Sequence, residues 1–273
     1  MKEKGMERFY QTERVIGKPL FKLFFNPEII NAKKFIPDKS QGPVIFCGNH
    51  LHVWDQVPVM CSTDRWIRWF AKKEYFDSSL GWFYKDSGCI CVDREGDSQQ
   101  SAIIGREHLA KGGTLGIFPE GTRNKYQVGK FELEKLNFKR RELERKYREG
   151  NLDKETYVHL CLEIDRAEVT VYTEMNKFIE NYQRKNPKLK VDTEETLLPF
   201  HYGAVSMAKD ADALLIPFAV TGEYKLGSKD LMLRYGEPFR PEHMSVQEGT
   251  EELRGRVLTL VQENIRSTSS RKQ

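Results

Sequence analysis

The sequence predicts an α/β fold in which a mixed, largely parallel sheet is flanked by helices and carries an inserted helical hairpin. Short apolar runs of strand character recur along the chain with helical stretches between them, as in sheets covered on both faces. At about 125–196 the composition changes to dense alternating charge with very few glycines, which predicts the hairpin. We therefore expect one main domain at 41–273 that the hairpin interrupts.

The composition is that of a globular protein with a slight positive charge. The 273 residues include 44 Lys and Arg against 40 Asp and Glu, and the net charge of +4 is too small to indicate nucleic-acid binding. Five cysteines show neither the even count of a disulfide framework nor the paired spacing of a zinc site, so we expect reduced thiols and no metal. Cys89 and Cys91 flank Ile90 and are predicted to pack in a buried strand.

Residues 1–40 contain an amphipathic segment. Within 8–25, apolar and aromatic side chains alternate with cations, which is the composition of a helix lying in the headgroup plane of a membrane. Docking of the same apolar face on the protein core is the alternative. No stretch reaches the roughly 18 consecutive apolar residues of a spanning helix, and charges stand where a signal peptide would have its apolar core.

Six strands are predicted from the apolar runs, and a closing helix follows them. The runs are Val44 to Cys47, Trp66 to Ala71, Cys89 to Val92, Thr114 to Phe118, Leu214 to Val220 and Leu231 to Tyr235. The closing helix is predicted from the helical spacing of Leu253, Val257, Leu260, Val261 and Ile265.

Two heptad-like seams predict that the hairpin consists of antiparallel helices joined at Gly150-Asn151. The seams contain Leu133, Leu136, Leu143 and Tyr147, then Tyr157, Leu160, Ile164, Val171, Met175, Phe178 and Tyr182. Arg140 occupies the missing position of the first seam. The other side chains are almost all charged, so the hairpin is predicted to be a structural or partner-binding arm rather than a catalytic one.

A histidine and an aspartate follow the strand that ends at Cys47. His50 and Asp55 are five residues apart, a step that would rotate their side chains roughly 140° from each other on a helix. They can meet only if His50 lies in the turn before the helix. Asp55 could then accept from one ring nitrogen and leave the other as a proton acceptor, as in a general base. His52 is the rival base, and an unrelated His and Asp are the alternative.

A second polar turn follows the strand Thr114 to Phe118. The run 119–123 places Gly121, Thr122 and Arg123 at the carboxyl end of a strand, where ligands of α/β proteins collect. An arginine fork beside backbone N–H groups and a hydroxyl suits a phosphate monoester. Arg94, after the strand that ends at Val92, could add a second cation to the same crevice. A surface turn with incidental arginines is the alternative.

Together these segments resemble the 1-acylglycerol-3-phosphate acyltransferase family of glycerophospholipid acyltransferases. Asn49-His50 with Asp55 resembles the first family motif, and 88–94 resembles the second. Phe118-Pro119-Glu120-Gly121-Thr122-Arg123 matches the third residue for residue, and 215–222 resembles the fourth. The four motifs stand in the family's order, and the resemblance covers 41–124 and 197–240.

The resemblance implies a glycerol-3-phosphate acyltransferase-like fold and an enzyme that makes phosphatidic acid from lysophosphatidic acid. The acyl donor would be a thioester of acyl carrier protein or coenzyme A, and no metal or other cofactor is expected. His50 would be the general base and Asp55 its orienting group. The predicted acceptor-binding residues are Asn49, Arg94, Glu120, Gly121, Thr122 and Arg123. The chain has no Gly-x-Ser-x-Gly elbow, so we expect direct transfer without an acyl-enzyme.

One departure from the family pattern leaves the acceptor open. The family follows its third motif closely with a Phe-Lys or Phe-Arg pair, whereas here Phe200-His201 comes about seventy residues later and the cation is a histidine. Another lysophospholipid or a lipid amine is therefore an alternative acceptor, and a non-catalytic binding module with a protein partner on the hairpin is the alternative from another class. A lipid substrate favours membrane association of 1–40, so we expect a peripheral protein on the cytoplasmic side of the cell membrane.

Overall fold

A seven-stranded sheet organises the larger part of the chain. The computed structural model describes residues 3–93, 98–227 and 230–271. The strands are β1 (Glu28–Ile30), β2 (Val44–Gly48), β3 (Ile67–Lys72), β4 (Ile90–Val92), β5 (Thr114–Ile117), β6 (Leu214–Thr221) and β7 (Met232–Tyr235). They lie in the order β1-β7-β6-β2-β5-β3-β4, and all neighbours pair in parallel except β6 and β7. This confirms the predicted mixed, largely parallel sheet.

Helices connect most of the strands. They are α1 (Glu3–Phe25), α2 (Ala32–Phe35), α3 (Gln56–Ser62), α4 (Lys73–Phe76), α5 (Gly81–Asp86), α6 (Ser98–Ala110), α7 (Lys125–Arg148), α8 (Lys154–Lys185), α9 (Gly203–Asp210) and α10 (Val246–Arg271). Among them α6, α9 and α10 pack against the sheet. The closing helix α10 buries Leu253, Val257 and Val261, as its spacing predicts.

Strand β2 lies at the centre of the sheet because its side chains are apolar on both faces. All of its residues are buried, and Phe46 belongs to a core cluster with Phe218 of β6 and Tyr235 of β7. The prediction that Cys91 is buried was wrong: it is exposed, since β4 lies at the edge of the sheet beside β3. Strand β1 was missed, because three residues are too few to show a periodic pattern.

Helix α1 combines a face docked on the core with an exposed apolar face. Tyr10 and Phe21 are buried in the core cluster, and the guanidinium of Arg14 donates to the backbone oxygen of Thr63 at 3.0 Å. The exposed apolar side chains are Val15, Ile16, Leu20, Leu23 and Phe24. Across the ranges that the structure describes, none of the helices has the length and apolarity needed to cross a bilayer.

The chain forms two compact units. One contains Met1–Thr122 and Phe200–Gln273, and the other contains Arg123–Pro199. In the second unit, the side chain of Asn124 caps α7 by accepting from the backbone N–H of Gln127 at 2.8 Å. Its amide nitrogen donates to the backbone oxygen of Thr196 at 2.9 Å, so one residue joins both ends of the inserted segment.

Helices α7 and α8 run antiparallel and pack along the predicted seams. Tyr147 stacks on Tyr157 beside the connection, with ring centroids 4.6 Å apart. Arg140 compensates for its place in an apolar seam by pairing with Asp165 at 2.7 Å and Glu168 at 3.0 Å across the hairpin. Partner binding by the hairpin stays a prediction.

Candidate active site

The carboxyl ends of three neighbouring strands in the larger unit lie side by side. Strand β2 pairs in parallel with β5 on one side and with β6 on the other. The segments that leave these strands therefore begin next to one another, at the sheet edge where α/β proteins bind ligands. The turn after β2 carries His50 and Asp55, the turn after β5 carries Phe118 to Thr122, and the segment after β6 carries Tyr224.

His50 and Asp55 meet in the turn between β2 and α3. The ring Nδ1 of His50 lies 2.9 Å from Oδ2 of Asp55, and that oxygen also accepts the backbone N–H groups of Leu51 at 2.6 Å and His52 at 2.7 Å. Helix α3 begins only at Gln56, so His50 lies in the turn, as the spacing requires. The carboxylate is fully buried, and it orients the ring so that Nε2 can act as a proton acceptor.

The ring of His50 is held face to face against Phe118. The two ring centroids are 4.1 Å apart with an interplanar angle of 12°, and Phe118 stacks in turn on Trp69 at 5.0 Å. The side chain of His50 keeps 19% of its surface exposed, so substrate can reach it. Phe118 was part of the third motif, but nothing in the motif indicated that its ring would stack on His50.

Glu120 and Asn49 are buried beneath the turn that carries His50. An oxygen of the Glu120 carboxylate accepts the backbone N–H of His50 at 3.0 Å. The amide of Asn49 pairs with both backbone groups of Val220, donating at 2.9 Å and accepting at 2.8 Å, and so joins the ends of β2 and β6. These contacts position the His50 turn, and direct contact of either side chain with an acceptor stays a prediction.

Gly121 and Thr122 form the turn after β5. Gly121 has φ of 68°, a left-handed conformation that favours glycine, and its N–H donates to the backbone oxygen of Phe118 at 2.9 Å. Thr122 is half-buried and ends this part of the larger unit, whereas Arg123 is the first residue of the second unit and is exposed. Arg94 lies outside the described residues. Phosphate binding by these residues stays a prediction.

Two further histidines lie near the turns. The backbone N–H of His201 donates to the oxygen of Pro119 at 2.9 Å, so position 201 adjoins the third motif despite the insertion between them. Its side chain is exposed. His52, the rival base, accepts the backbone N–H of Trp54 on Nδ1 at 3.3 Å and stacks on Tyr224 with ring centroids 4.6 Å apart. The orienting carboxylate therefore serves His50.

Tyr224 is a member of the site that the sequence reasoning missed. Its hydroxyl donates to Oδ1 of Asp55 at 2.8 Å. Burial and then the neighbouring Asp55 charge raise the pKa of Tyr224 well above its ordinary value, so the phenol keeps its proton. The available signal was its place two residues after Gly222, where the strand of the fourth motif has just ended.

Comparisons with known proteins concern the family and the fold of the chain. A family model described as Acyltransferase matches residues 26–221, most of the chain. The fold is similar to the crystal structure of the 1-acyl-sn-glycerophosphate (LPA) acyltransferase PlsC from Thermotoga maritima. That match has 15% identity and a TM-score of 0.57, and it covers 96% of this chain and 82% of that one. At this identity the likeness concerns the fold alone. No curated protein matches the sequence.

Proposed function

The chain belongs to the Acyltransferase family, and from this premise we propose that it transfers a fatty acyl group from a thioester to the free hydroxyl of lysophosphatidic acid. The product would be phosphatidic acid, for phospholipid biosynthesis. The observation that carries the proposal is the 2.9 Å contact between His50 and a fully buried Asp55 at the meeting point of three strand ends. This arrangement suits a general base for a hydroxyl nucleophile.

In the proposed reaction the acceptor hydroxyl gives its proton to Nε2 of His50 as its oxygen attacks the thioester carbonyl carbon. Asp55, which accepts a hydrogen bond from the Nδ1–H of the ring, stabilises the imidazolium that forms. The tetrahedral intermediate then collapses, the carbon–sulfur bond breaks, and the imidazolium protonates the departing thiolate. The ester and the free thiol are the products, and His50 returns to its neutral form.

The burial of Cys47, the cysteine nearest to His50 in the sequence, supports direct acyl transfer rather than an acyl-enzyme. Cys47 precedes His50 by three residues, but it is fully buried in β2. Burial raises the pKa of Cys47 above its ordinary value, which keeps it as a poorly nucleophilic thiol. The acyl donor would then react with the acceptor alone, whether it is carried by acyl carrier protein or by coenzyme A.

The turn after β5 is the proposed cradle for the acceptor phosphate. Gly121 and Thr122 stand at the same sheet edge as His50, and Arg123 follows them directly in the chain. A backbone turn, a hydroxyl and a guanidinium suit three phosphate oxygens. The sequence motif alone supports the roles of Arg123 and Arg94.

We place the proposed enzyme at the cytoplasmic face of the cell membrane as a peripheral protein. Helix α1 supports the membrane association, because Leu23 keeps 76% and Val15 66% of its surface exposed while Tyr10 and Phe21 of the same helix pack in the core. An exposed apolar face with flanking cations is suited to the headgroup region of a bilayer. A lipid acceptor could then reach the site from the membrane.

A panel of acceptors tests the proposed function. The purified protein is given a long-chain acyl thioester, of acyl carrier protein and of coenzyme A in turn, with lysophosphatidic acid, lysophosphatidylcholine, lysophosphatidylglycerol and a lysolipid amine. We expect the highest kcat/KM with lysophosphatidic acid. A preference for another lysolipid would assign a different acceptor and point to the histidine at position 201. Absence of transfer to every acceptor would contradict the enzymatic proposal and favour a binding module.

A further inference from the structure

The two oxygens of the Asp55 carboxylate are held by different parts of the chain. Oδ2 accepts from the His50 ring and from the backbone N–H groups of Leu51 and His52, all within the same turn. Oδ1 accepts the hydroxyl of Tyr224, which lies 169 residues further along. Local bonds fix one oxygen, and the distant phenol fixes the second and with it the plane of the carboxylate.

Tyr224 is itself held by aromatic rings from the turn and from α1. The ring of His52 stacks on it with centroids 4.6 Å apart. The ring of Phe25 lies edge-on to it at a centroid distance of 5.9 Å, and that of Phe21 is tilted against it at 6.3 Å. Phe25 also contacts Trp54 at 5.4 Å, one residue before Asp55. The carboxyl end of the amphipathic helix is therefore joined to the Asp55 turn by two ring contacts of Phe25, one with Tyr224 and one with Trp54.

The segment that carries Tyr224 is built to keep this position. Gly222 has φ of 94°, and a Cβ there would stand 2.0 Å from the backbone oxygen of Asp230. A side chain at position 222 would therefore displace the turn that precedes Tyr224. Tyr224 leaves it two residues later, against Asp55.

We propose that Tyr224 is a positioning residue for the His50–Asp55 pair and that it links the pair to the carboxyl end of α1. Its kinetic consequences rest on the proposed function, because they can be measured only if the protein transfers acyl groups. The hydroxyl neutralises part of the Asp55 charge, so its loss leaves a stronger negative charge beside the imidazole and favours the protonated ring. Glu120, which accepts the backbone N–H of His50, and His52, whose backbone N–H donates to Asp55, are ionisable groups next to the pair, and the substitution that removes the hydroxyl changes neither of them.

The test compares Tyr224→Phe with Tyr235→Phe. Tyr235 is a matched control, because its hydroxyl is also buried and bonded, to Ser62 at 2.6 Å, but it belongs to β7 and the core cluster. We expect Tyr224→Phe to lower kcat about tenfold, the effect of one hydrogen bond to a charged group, with little change in the KM for the acceptor. The acid limb of the kcat/KM profile should move to higher pH, and Tyr235→Phe should leave both unchanged.

The link to α1 is tested by adding Phe25→Leu. Alone it should lower kcat by a smaller factor than Tyr224→Phe. In the Tyr224→Phe background its effect should be smaller still, because the ring at position 224 then no longer bonds Asp55 and only the contact with Trp54 is left. Phe9→Leu is the control, since Phe9 lies at the other end of α1 and contacts Trp82 at 6.1 Å. Independent, multiplying losses from Phe25→Leu and Tyr224→Phe would overturn the link.

A measurement without substrate separates this inference from the proposed function. The protonation midpoint of the His50 ring, followed by NMR, should rise in Tyr224→Phe and stay constant in Tyr235→Phe. An unchanged midpoint, or kinetics equal to those of Tyr235→Phe, would overturn the positioning role even if the wild type is an active acyltransferase. A raised midpoint in a protein that acylates no lysolipid would support the positioning role while contradicting the proposed function.

Discussion

Replacing Asp55 by asparagine should remove the negative charge of the proposed catalytic pair while keeping its geometry. Three N–H donors converge on Oδ2 of Asp55, so the asparagine must place its carbonyl oxygen there. Its amide nitrogen then faces Tyr224, whose hydroxyl can rotate to accept. The Nδ1 proton of His50 keeps an acceptor, so the ring tautomer is preserved and only the charge is lost.

The size of the effect follows from the contact distance. The hydrogen-bonded atoms of His50 and Asp55 are 2.9 Å apart, but the charges are spread over the ring and the carboxylate. Unit charges about 4 Å apart attract by roughly 4 kcal/mol at an effective dielectric constant of about 20. Because about 1.4 kcal/mol corresponds to a factor of ten, kcat should fall about 10³-fold. The KM for the acceptor should change little, since Asp55 is fully buried.

The assay is the initial rate of product formation from a thioester and lysophosphatidic acid. It is measured from about pH 5 to about pH 9, because histidine side chains titrate within this range. Exposed Asp64 provides the control variant Asp64→Asn, which should behave as wild type. Thermal unfolding checks that both variants are folded. A loss of kcat smaller than about tenfold in a folded Asp55→Asn protein would refute the role of the charge.

Three further predictions concern stability and membrane binding. Glu120→Ala removes the acceptor of the His50 backbone N–H, so the free energy of unfolding in urea should fall by about 1–3 kcal/mol. Glu120→Gln keeps an acceptor oxygen and should lower it less, and equal losses in the two variants would contradict this. Burial raises the pKa of Glu13 from 4.5 to about 7, so the folded state binds more protons in that window and stability should fall as pH rises through it. In Glu13→Gln, Tm should therefore change less with pH than in the wild type. An equal change of Tm with pH in the two proteins would refute this. Leu23→Glu should weaken binding to vesicles of phosphatidylcholine and phosphatidylglycerol. Val169→Glu, at a similarly exposed apolar position of α8, should leave this binding unchanged. Equal vesicle binding by the two variants would contradict membrane association through α1.

The central strands could be predicted from the sequence because burial makes them continuous apolar runs. Val44–Gly48 and Leu214–Thr221 are buried along almost their whole length, and their patterns are unmistakable. Edge strands lack this signal, so β1 was missed and Cys91 of β4 was wrongly expected to be buried. A continuous run of apolar residues does not indicate whether one or both faces of a strand are buried.

The local part of the site could also be predicted, and its long-range part could not. Helical geometry shows that His50 and Asp55 can meet only through a turn, and the structure has that turn. The bonds of Asp55 to Tyr224 and of His50 to Glu120 join segments 169 and 70 residues apart. Only the strand order brings them together, and local spacing carries no information about it.

The most direct test of the account is the rate of acyl transfer to lysophosphatidic acid by His50→Ala compared with His52→Ala, in proteins with wild-type Tm. General-base catalysis supplies about 10²–10⁴-fold, so His50→Ala should lose at least a hundredfold in kcat. His52→Ala should lose far less, because the ring of His50 has the carboxylate of Asp55 as its partner. Near-normal turnover in His50→Ala, or its abolition only in His52→Ala, would contradict the assignment of the base.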